Sequence, residues 1–163
     1  MQEKELSLQT ENKYRMVRYK TIENERLQDA PFVGGLVSSI GCSINCKGCF
    51  NQHLKKLPTK TKSAKDIVAE VMNCTYNKGI ILAGLEWSEQ PTEMIDLVLE
   101  AQANALEVCI YTGKVKDVFL RMFPKLHNYY LKSGSFNEET KGEFNTSLGI
   151  HLANKTQEIE FIT

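Results

Sequence analysis

Cys42, Cys46 and Cys49 stand in the run Gly41-Cys42-Ser43-Ile44-Asn45-Cys46-Lys47-Gly48-Cys49-Phe50, a Cys-x3-Cys-x2-Cys spacing. A loop of this kind can bring three thiolates to one face of a compact iron–sulfur cube and leave the fourth iron without a protein ligand. Such an iron is a place where a small molecule can bind and react. Ser43, Asn45, Lys47 and Gly48 make the segment a polar loop, which argues against three separately buried thiols. The chain has 5 cysteines, so one is left over from any complete pairing, and its N-terminus does not resemble a secretion signal; both facts argue against a disulfide framework. A structural zinc site is the competing reading. His53 extends the pattern to Cys-x3-Cys-x2-Cys-x3-His, and structural zinc takes four closed ligands. The two-plus-two arrangement of most structural zinc loops is missing, however, so the spacing favours a cluster.

The loop needs a scaffold, and the flanking pattern supplies one. Gly35 to Ile40 reads as a short strand entering the loop, and parallel α/β sheets place their chemistry beyond the C-terminal ends of strands. Ser63-Ala64-Lys65-Asp66 resembles a capping box, and Ile67, Val68, Val71 and Met72 recur at helical spacing, predicting a helix from Ser63 to about Tyr76. Gly79 to Gly84 is an apolar run between glycines, hence a buried strand. Pro91 suits a first helical turn, followed by Met94, Ile95, Leu97, Val98, Ala101 and Ala105 on a second helix. Leu106 to Tyr111 is the next strand, and Val115, Val118, Phe119 and Met122 mark a third helix before Pro124. Alternating strands and helices predict repeated crossovers and a parallel sheet. Tyr14 to Tyr19 reads as an edge strand, Tyr129 to Lys132 as another strand, and Ile150 to Leu152 and Ile159 to Ile162 as tail segments.

The 163 residues suffice for one core, with residues 1–12 read as a loose arm and 13–163 as one domain. Lysine plus arginine equals aspartate plus glutamate at 20 each, so no global field points to nucleic acid or an anionic membrane. No apolar run approaches membrane-spanning length. Unpaired thiols without a secretion signal point to a reducing, cytoplasmic setting.

A cluster above one strand calls for a ligand-holding group at the end of the next. Gly84-Leu85-Glu86-Trp87 supplies a glycine for close backbone approach and a carboxylate able to pair with an ammonium. With these residues in view, the loop from Gly41 to Asn51 resembles that of radical S-adenosylmethionine enzymes. It is most similar to the small activating proteins of anaerobic ribonucleoside-triphosphate reductase. The resemblance runs from about Tyr14 to the end and implies an α/β fold forming a partial, open (β/α) barrel. It implies a [4Fe-4S] cluster on Cys42, Cys46 and Cys49, with the amino and carboxylate groups of S-adenosylmethionine on the open iron. Gly84-Leu85-Glu86 occupies the place of a Gly-Gly-Glu motif that contacts the methionine part, with leucine for the middle glycine. Tyr111-Thr112-Gly113 resembles a Tyr-Thr-Gly at the end of the following strand. The segments 131–139 and 152–157 look like family C-terminal segments.

On this resemblance Gly48 and loop amides hydrogen-bond the cluster, Phe50 covers it or stacks near the adenine, Gly84 and Glu86 meet the methionine part, and Thr112 with Gly113 line the ribose side. The implied activity is reductive cleavage of S-adenosylmethionine to a 5′-deoxyadenosyl radical that installs a glycyl radical on an anaerobic ribonucleoside-triphosphate reductase. A flavodoxin- or ferredoxin-like protein is the implied electron donor. The alternatives are a radical enzyme with another protein or small-molecule substrate, and a non-catalytic zinc- or cluster-binding interaction protein. Cys74 and Cys109 read as small structural hydrophobes, His127 and His151 as ordinary histidines, and Trp87 as either a pocket wall or a packing residue. Lys55, Lys56, Lys60, Lys62 and Lys65 read as a solvated basic loop, with contact to an acidic partner or electron donor as the other reading.

Overall fold

The computed structural model describes residues 15–43, 51–134, 144–145, 150–151 and 157–163. Short runs of glycine and branched aliphatic residues build the central strands β3 (Gly34–Ser38) and β5 (Gly79–Ala83), valine and isoleucine build β6 (Glu107–Tyr111), and two tyrosines and a leucine build β7 (Tyr129–Ser133). These four lie side by side and parallel, and two antiparallel strands flank them, β2 (Ile22–Arg26) beside β3 and β10 (Glu158–Ile162) beside β7. The register aligns Val37 with Leu82, Leu82 with Ile110, and Ile110 with Leu131. The C-terminal ends of the four strands therefore form one rim. This is a mixed α/β domain with a mostly parallel sheet.

Alternation along each strand sends side chains to two covered faces, the arrangement that parallel sheets require. Val37, Ile80, Leu82, Val108, Ile110, Tyr129 and Leu131 face the helices α1 (Ala64–Asn73), α2 (Pro91–Ala103) and α3 (Lys116–Met122). Leu36, Ile81, Ala83 and Cys109 face the other way, under Ala30 and Phe32 from the connection between β2 and β3. Two further two-stranded sheets complete the described residues. One pairs β1 (Met16–Tyr19) with β4 (Lys60–Ser63), and the other pairs β8 (Phe144–Asn145) with β9 (Ile150–His151).

The elements depart from the sequence expectation in several places, and the second helix ends at Ala103, short of Ala105. α1 starts as expected, with the Ser63 side chain accepting from the Asp66 amide at 3.1 Å, but it ends at Asn73 rather than near Tyr76. Asn77 donates its side-chain amide to the Val71 carbonyl at 2.9 Å, taking over an acceptor that a helix end leaves open. The basic stretch is not a loop throughout. Lys60–Ser63 pairs with β1, and Lys62 faces Glu70 of α1 at 2.7 Å. Strand β2 was not foreseen, because the polar Ile22–Arg26 run lacks an apolar alternation. The expected edge strand near Tyr14 to Tyr19 is β1, although it joins β4 rather than the main sheet. The N-terminal arm expected over 1–12 lies outside the described residues.

Gly79 opens β5 where the chain passes closest to its neighbours. A Cβ there would sit 2.4 Å from the Glu107 carbonyl oxygen and 2.4 Å from the Phe32 ring. The carbonyl belongs to the adjacent strand's backbone and cannot swing away as a side chain would. Gly79→Ala is expected to destabilise the domain by at least about 1–3 kcal/mol, the usual cost of overpacking. Denaturant midpoints of the variant and the parent measure this.

Candidate functional site

Four connections leave the rim, and three of them carry the residues singled out in the sequence. After β3 the chain runs Ser39, Ile40, Gly41 and Cys42; after β5, Gly84, Leu85 and Glu86; after β6, Thr112 and Gly113. Gly84 makes the approach of the first two possible. Its φ is +87°, and a Cβ would lie 2.6 Å from both Cβ and Oγ of Ser38. Only glycine takes that left-handed conformation without strain at such close quarters. The next two residues are both turned inward, Leu85 at 8% exposure and Glu86 at 2%.

Glu86 joins the three connections. Its backbone amide donates to the Gly41 carbonyl at 3.0 Å, next to Cys42. Its carboxylate accepts from the Ser88 amide at 3.2 Å and the Ser88 hydroxyl at 2.7 Å. It also accepts from the Thr112 hydroxyl at 3.0 Å and the Gly113 amide at 2.7 Å. Three of these donors converge on Oε2, while Oε1 takes the Gly113 amide with the Thr112 hydroxyl 3.2 Å away, so Oε1 keeps room for a further donor. All of them are neutral, and among the described residues no cation pairs with Glu86.

The turn that follows grips the cysteine loop from the side. Gln90 accepts the Ile40 amide at 2.9 Å, and Glu89 accepts the Ser43 amide at 2.9 Å. Trp87 is fully buried, and its indole N–H is shared between the carbonyls of Val37 at 3.0 Å and Ala83 at 3.1 Å. This settles Trp87 as a packing residue that splices the ends of β3 and β5. On the far side, the buried Lys20 ammonium donates to the Leu57 carbonyl at 2.6 Å and the Thr59 hydroxyl at 3.1 Å. Its own amide donates to the Ser38 carbonyl at 2.8 Å. Lys20 thus ties the chain leaving the loop to the strand entering it.

Of the expected cluster ligands, Cys42 is half-buried on the rim, while Cys46, Cys49, Gly48 and Phe50 lie outside the described residues. The described part of the site fits a cluster of the kind the spacing suggests. A thiol of the soft kind that iron takes stands beyond a parallel strand, and apart from the adjoining residues no described atom lies within 4 Å of a Cβ built on Gly41. The Ser39 hydroxyl, wholly buried three residues before Cys42, has no partner among the described residues. His53, the fourth ligand of the zinc reading, is exposed on the 3-10 turn Gln52–Lys56. Among the described residues no group of three or more Cys, His, Asp or Glu is arranged to hold a metal ion.

The remaining thiols behave as small hydrophobes or surface groups. Cys109 lies in the middle of β6, and burial pushes its thiol up to about 12. Cys74 is half-buried and donates to Glu25 at 3.4 Å. On the same face as Cys109, Lys132 is 7% exposed, with its ammonium 4.2 Å above the Tyr111 ring. Burial holds this ammonium below the usual lysine range. His127 faces the Thr163 carbonyl oxygen. The side chain of His151 and most of the segments 131–139 and 152–157 fall outside the description.

Residues 34–147 match the family model of the 4Fe-4S single cluster domain. That match covers well over half of the 163 residues, and the chain belongs to this family. It is an iron–sulfur protein. A search of curated proteins returns no match. No helix among the described residues is long and apolar enough to cross a membrane.

Sequence reasoning found Cys42, Glu86, Thr112 and Gly113 on one rim but missed Ser39, Ser88, Glu89, Gln90 and Lys20. The run Ser88-Glu89-Gln90 directly before Pro91 was the available signal, since side-chain acceptors are favoured ahead of a helix that starts with proline.

Two predictions follow from this geometry. Glu86→Gln turns an acceptor oxygen into an NH2 group that must face N–H or O–H donors. It should cost about 1–3 kcal/mol of stability, the penalty for unsatisfied buried polar groups, read from denaturant unfolding. The Cys109 thiol keeps its proton in the native state where the unfolded chain, with the ordinary thiol value of 9.0, has lost it. Over the pH range from 9.0 to about 12 the native state therefore binds more protons, and this thiol makes stability fall as pH rises. The parent should lose more stability than Cys109→Ala across that window, and native Cys109 should resist alkylation at mildly alkaline pH.

Proposed function

We propose that this protein is a radical S-adenosylmethionine enzyme that generates a 5′-deoxyadenosyl radical and uses it to install a glycyl radical on an anaerobic ribonucleoside-triphosphate reductase. In this reading Cys42, Cys46 and Cys49 hold a [4Fe-4S] cluster, and the mostly parallel sheet is part of an open (β/α) barrel. A bound cluster would supply the electron that cleaves the carbon–sulfur bond of S-adenosylmethionine.

The observation that carries the reading is Glu86. It is a buried carboxylate that meets four neutral donors and no described cation, and its own backbone is hydrogen-bonded to the residue before Cys42. A ligand ammonium is the complement to such a group. Gly84 brings backbone close at the same point, and Thr112 and Gly113 stand on the next connection, where a ribose would be lined. The Ser39 hydroxyl offers one more unfilled polar contact. The cytoplasm is the fitting compartment, and a flavodoxin- or ferredoxin-like protein the fitting donor.

The test begins with anaerobic purification. The protein should hold about four irons and four sulfides per chain. Cys42→Ala, Cys46→Ala and Cys49→Ala should each lose the cluster, while Cys74→Ala and Cys109→Ala should keep it. The reduced protein should form 5′-deoxyadenosine from S-adenosylmethionine. With the reductase added, a glycyl doublet should grow in the electron paramagnetic resonance spectrum in step with that product. Below its melting point, Glu86→Gln should bind S-adenosylmethionine more weakly by about 1.5–3 kcal/mol, the range for a hydrogen bond to a charged group. Deoxyadenosine without the doublet would redirect the search to another protein or small-molecule substrate. Stoichiometric zinc in place of iron, or an intact cluster that yields no deoxyadenosine, would favour the interaction-protein reading.

A further inference from the structure

The chain is balanced overall, yet its positive charge is not evenly spread. From Asn51 to Lys65 there are five lysines and no aspartate or glutamate. This segment begins two residues after Cys49, so it emerges directly from the cysteine loop. It is also built into the fold. Residues 52–56 form a 3-10 turn whose Leu54 is buried, Lys20 clamps Leu57 and Thr59, and Lys60–Ser63 is strand β4. Lys62 is committed to Glu70. Lys55, Lys56, Lys60 and Lys65 are exposed, and among the described residues none of them pairs with a carboxylate. Among the described residues, Arg15 and Arg18 near this end of the fold are paired, with Asp96 and Glu93 respectively.

We infer that Lys55, Lys56, Lys60 and Lys65 form the docking surface for an acidic one-electron carrier protein that reduces the cluster. The inference rests on the cluster reading of the loop and assigns a surface to the electron donor of that reading. An electron must enter from the surface close to the cysteine loop, and the lysine segment is the stretch that leaves it. Fixed, unpaired cations on an otherwise neutral protein steer a negatively charged partner to that place and speed its encounter. One electron leaves the reduced carrier and one enters the cluster. The carrier is oxidised by one unit, the cluster is reduced by one, and no proton or bond changes place in the step. A solvated face with no partner would carry the same residues, so the distinction lies in what the charge does to the encounter.

The test compares the parent with the variant Lys55→Glu/Lys56→Glu/Lys60→Glu/Lys65→Glu. Circular dichroism checks its fold, and Lys55→Glu/Lys56→Glu serves as a milder second variant. The probe is a reduced flavodoxin of strong net negative charge, and the control reductant is a photogenerated, uncharged deazaflavin radical. At low ionic strength the fourfold variant should be reduced by the flavodoxin on the order of ten- to a hundredfold more slowly. The double variant should fall between. Raising the salt should slow the parent toward the variant, because screening removes the steering. Reduction by the deazaflavin radical should be the same in all three. Equal flavodoxin rates with an intact cluster would overturn the assignment of the surface. If the parent carries no cluster, the cluster reading itself fails. Titration calorimetry with oxidised flavodoxin then decides the surface, and equal affinity for parent and fourfold variant overturns it.

Discussion

A carboxylate sunk among neutral donors is an unusual thing for a protein to keep, since an unpaired buried charge is costly unless every lone pair is satisfied. Glu86 answers that cost with two hydroxyls and two backbone amides, drawn from its own turn and from the connection after β6. Its backbone reaches the third partner, the connection after β3. The relative positions of Cys42, Gly84 and Thr112 are therefore tied through one residue, by its backbone to the first connection and by its side chain to the third. Strand register brings these connections to the same rim, but register alone leaves connections free to splay. The hydrogen bonds that offset the burial of this carboxylate are the same ones that hold the connections together.

Around this point the fold divides its work between two faces. The helical face is filled by aliphatic side chains from β3, β5, β6 and β7 against α1, α2 and α3, with aromatic rings of Phe119, Phe123 and Tyr129 at one side. The opposite face is thinner and less uniformly apolar. It holds Cys109, Tyr111 and Lys132, and its cover is a connection rather than a helix. Tyr111 donates its hydroxyl to the Asp29 carbonyl, and Asp29 is itself held by Arg26. A sheet whose second face carries an ammonium and a phenol beside aliphatic residues is suited to polar chemistry at its rim in a way that the helical face is not.

Much of this was legible in the sequence because it is local. Apolar runs between glycines located β5, the serine before α1 fixed its start, and proline placed α2. The cysteine spacing named the metal chemistry that the family match bears out at the level of a single-cluster domain. What escaped was non-local or carried by polar residues. Strand β2 reads as Ile-Glu-Asn-Glu-Arg and is a strand because β3 offers it an edge, which no alternation announces. The lysines of β4 conceal a strand for the same reason, pairing with β1 across forty residues of chain. The grip of Ser88, Glu89 and Gln90 on the loop depends on side-chain geometry that composition cannot express.

Gln90 carries a consequence for the lifetime of the site. Its carbonyl oxygen accepts the Ile40 amide, while its nitrogen donates to the Arg18 carbonyl at 2.9 Å and to Glu93 at 2.7 Å. Only an amide offers an acceptor on one side and donors on the other. Hydrolysis of that amide to a carboxylate replaces both donors with an acceptor facing a carbonyl and a second carboxylate. The entry to the cysteine loop would then be pushed away from β1 and α2 by a change of one atom. Such a loss of the amide would be irreversible, and the burial of Gln90 at 5% exposure keeps water from it.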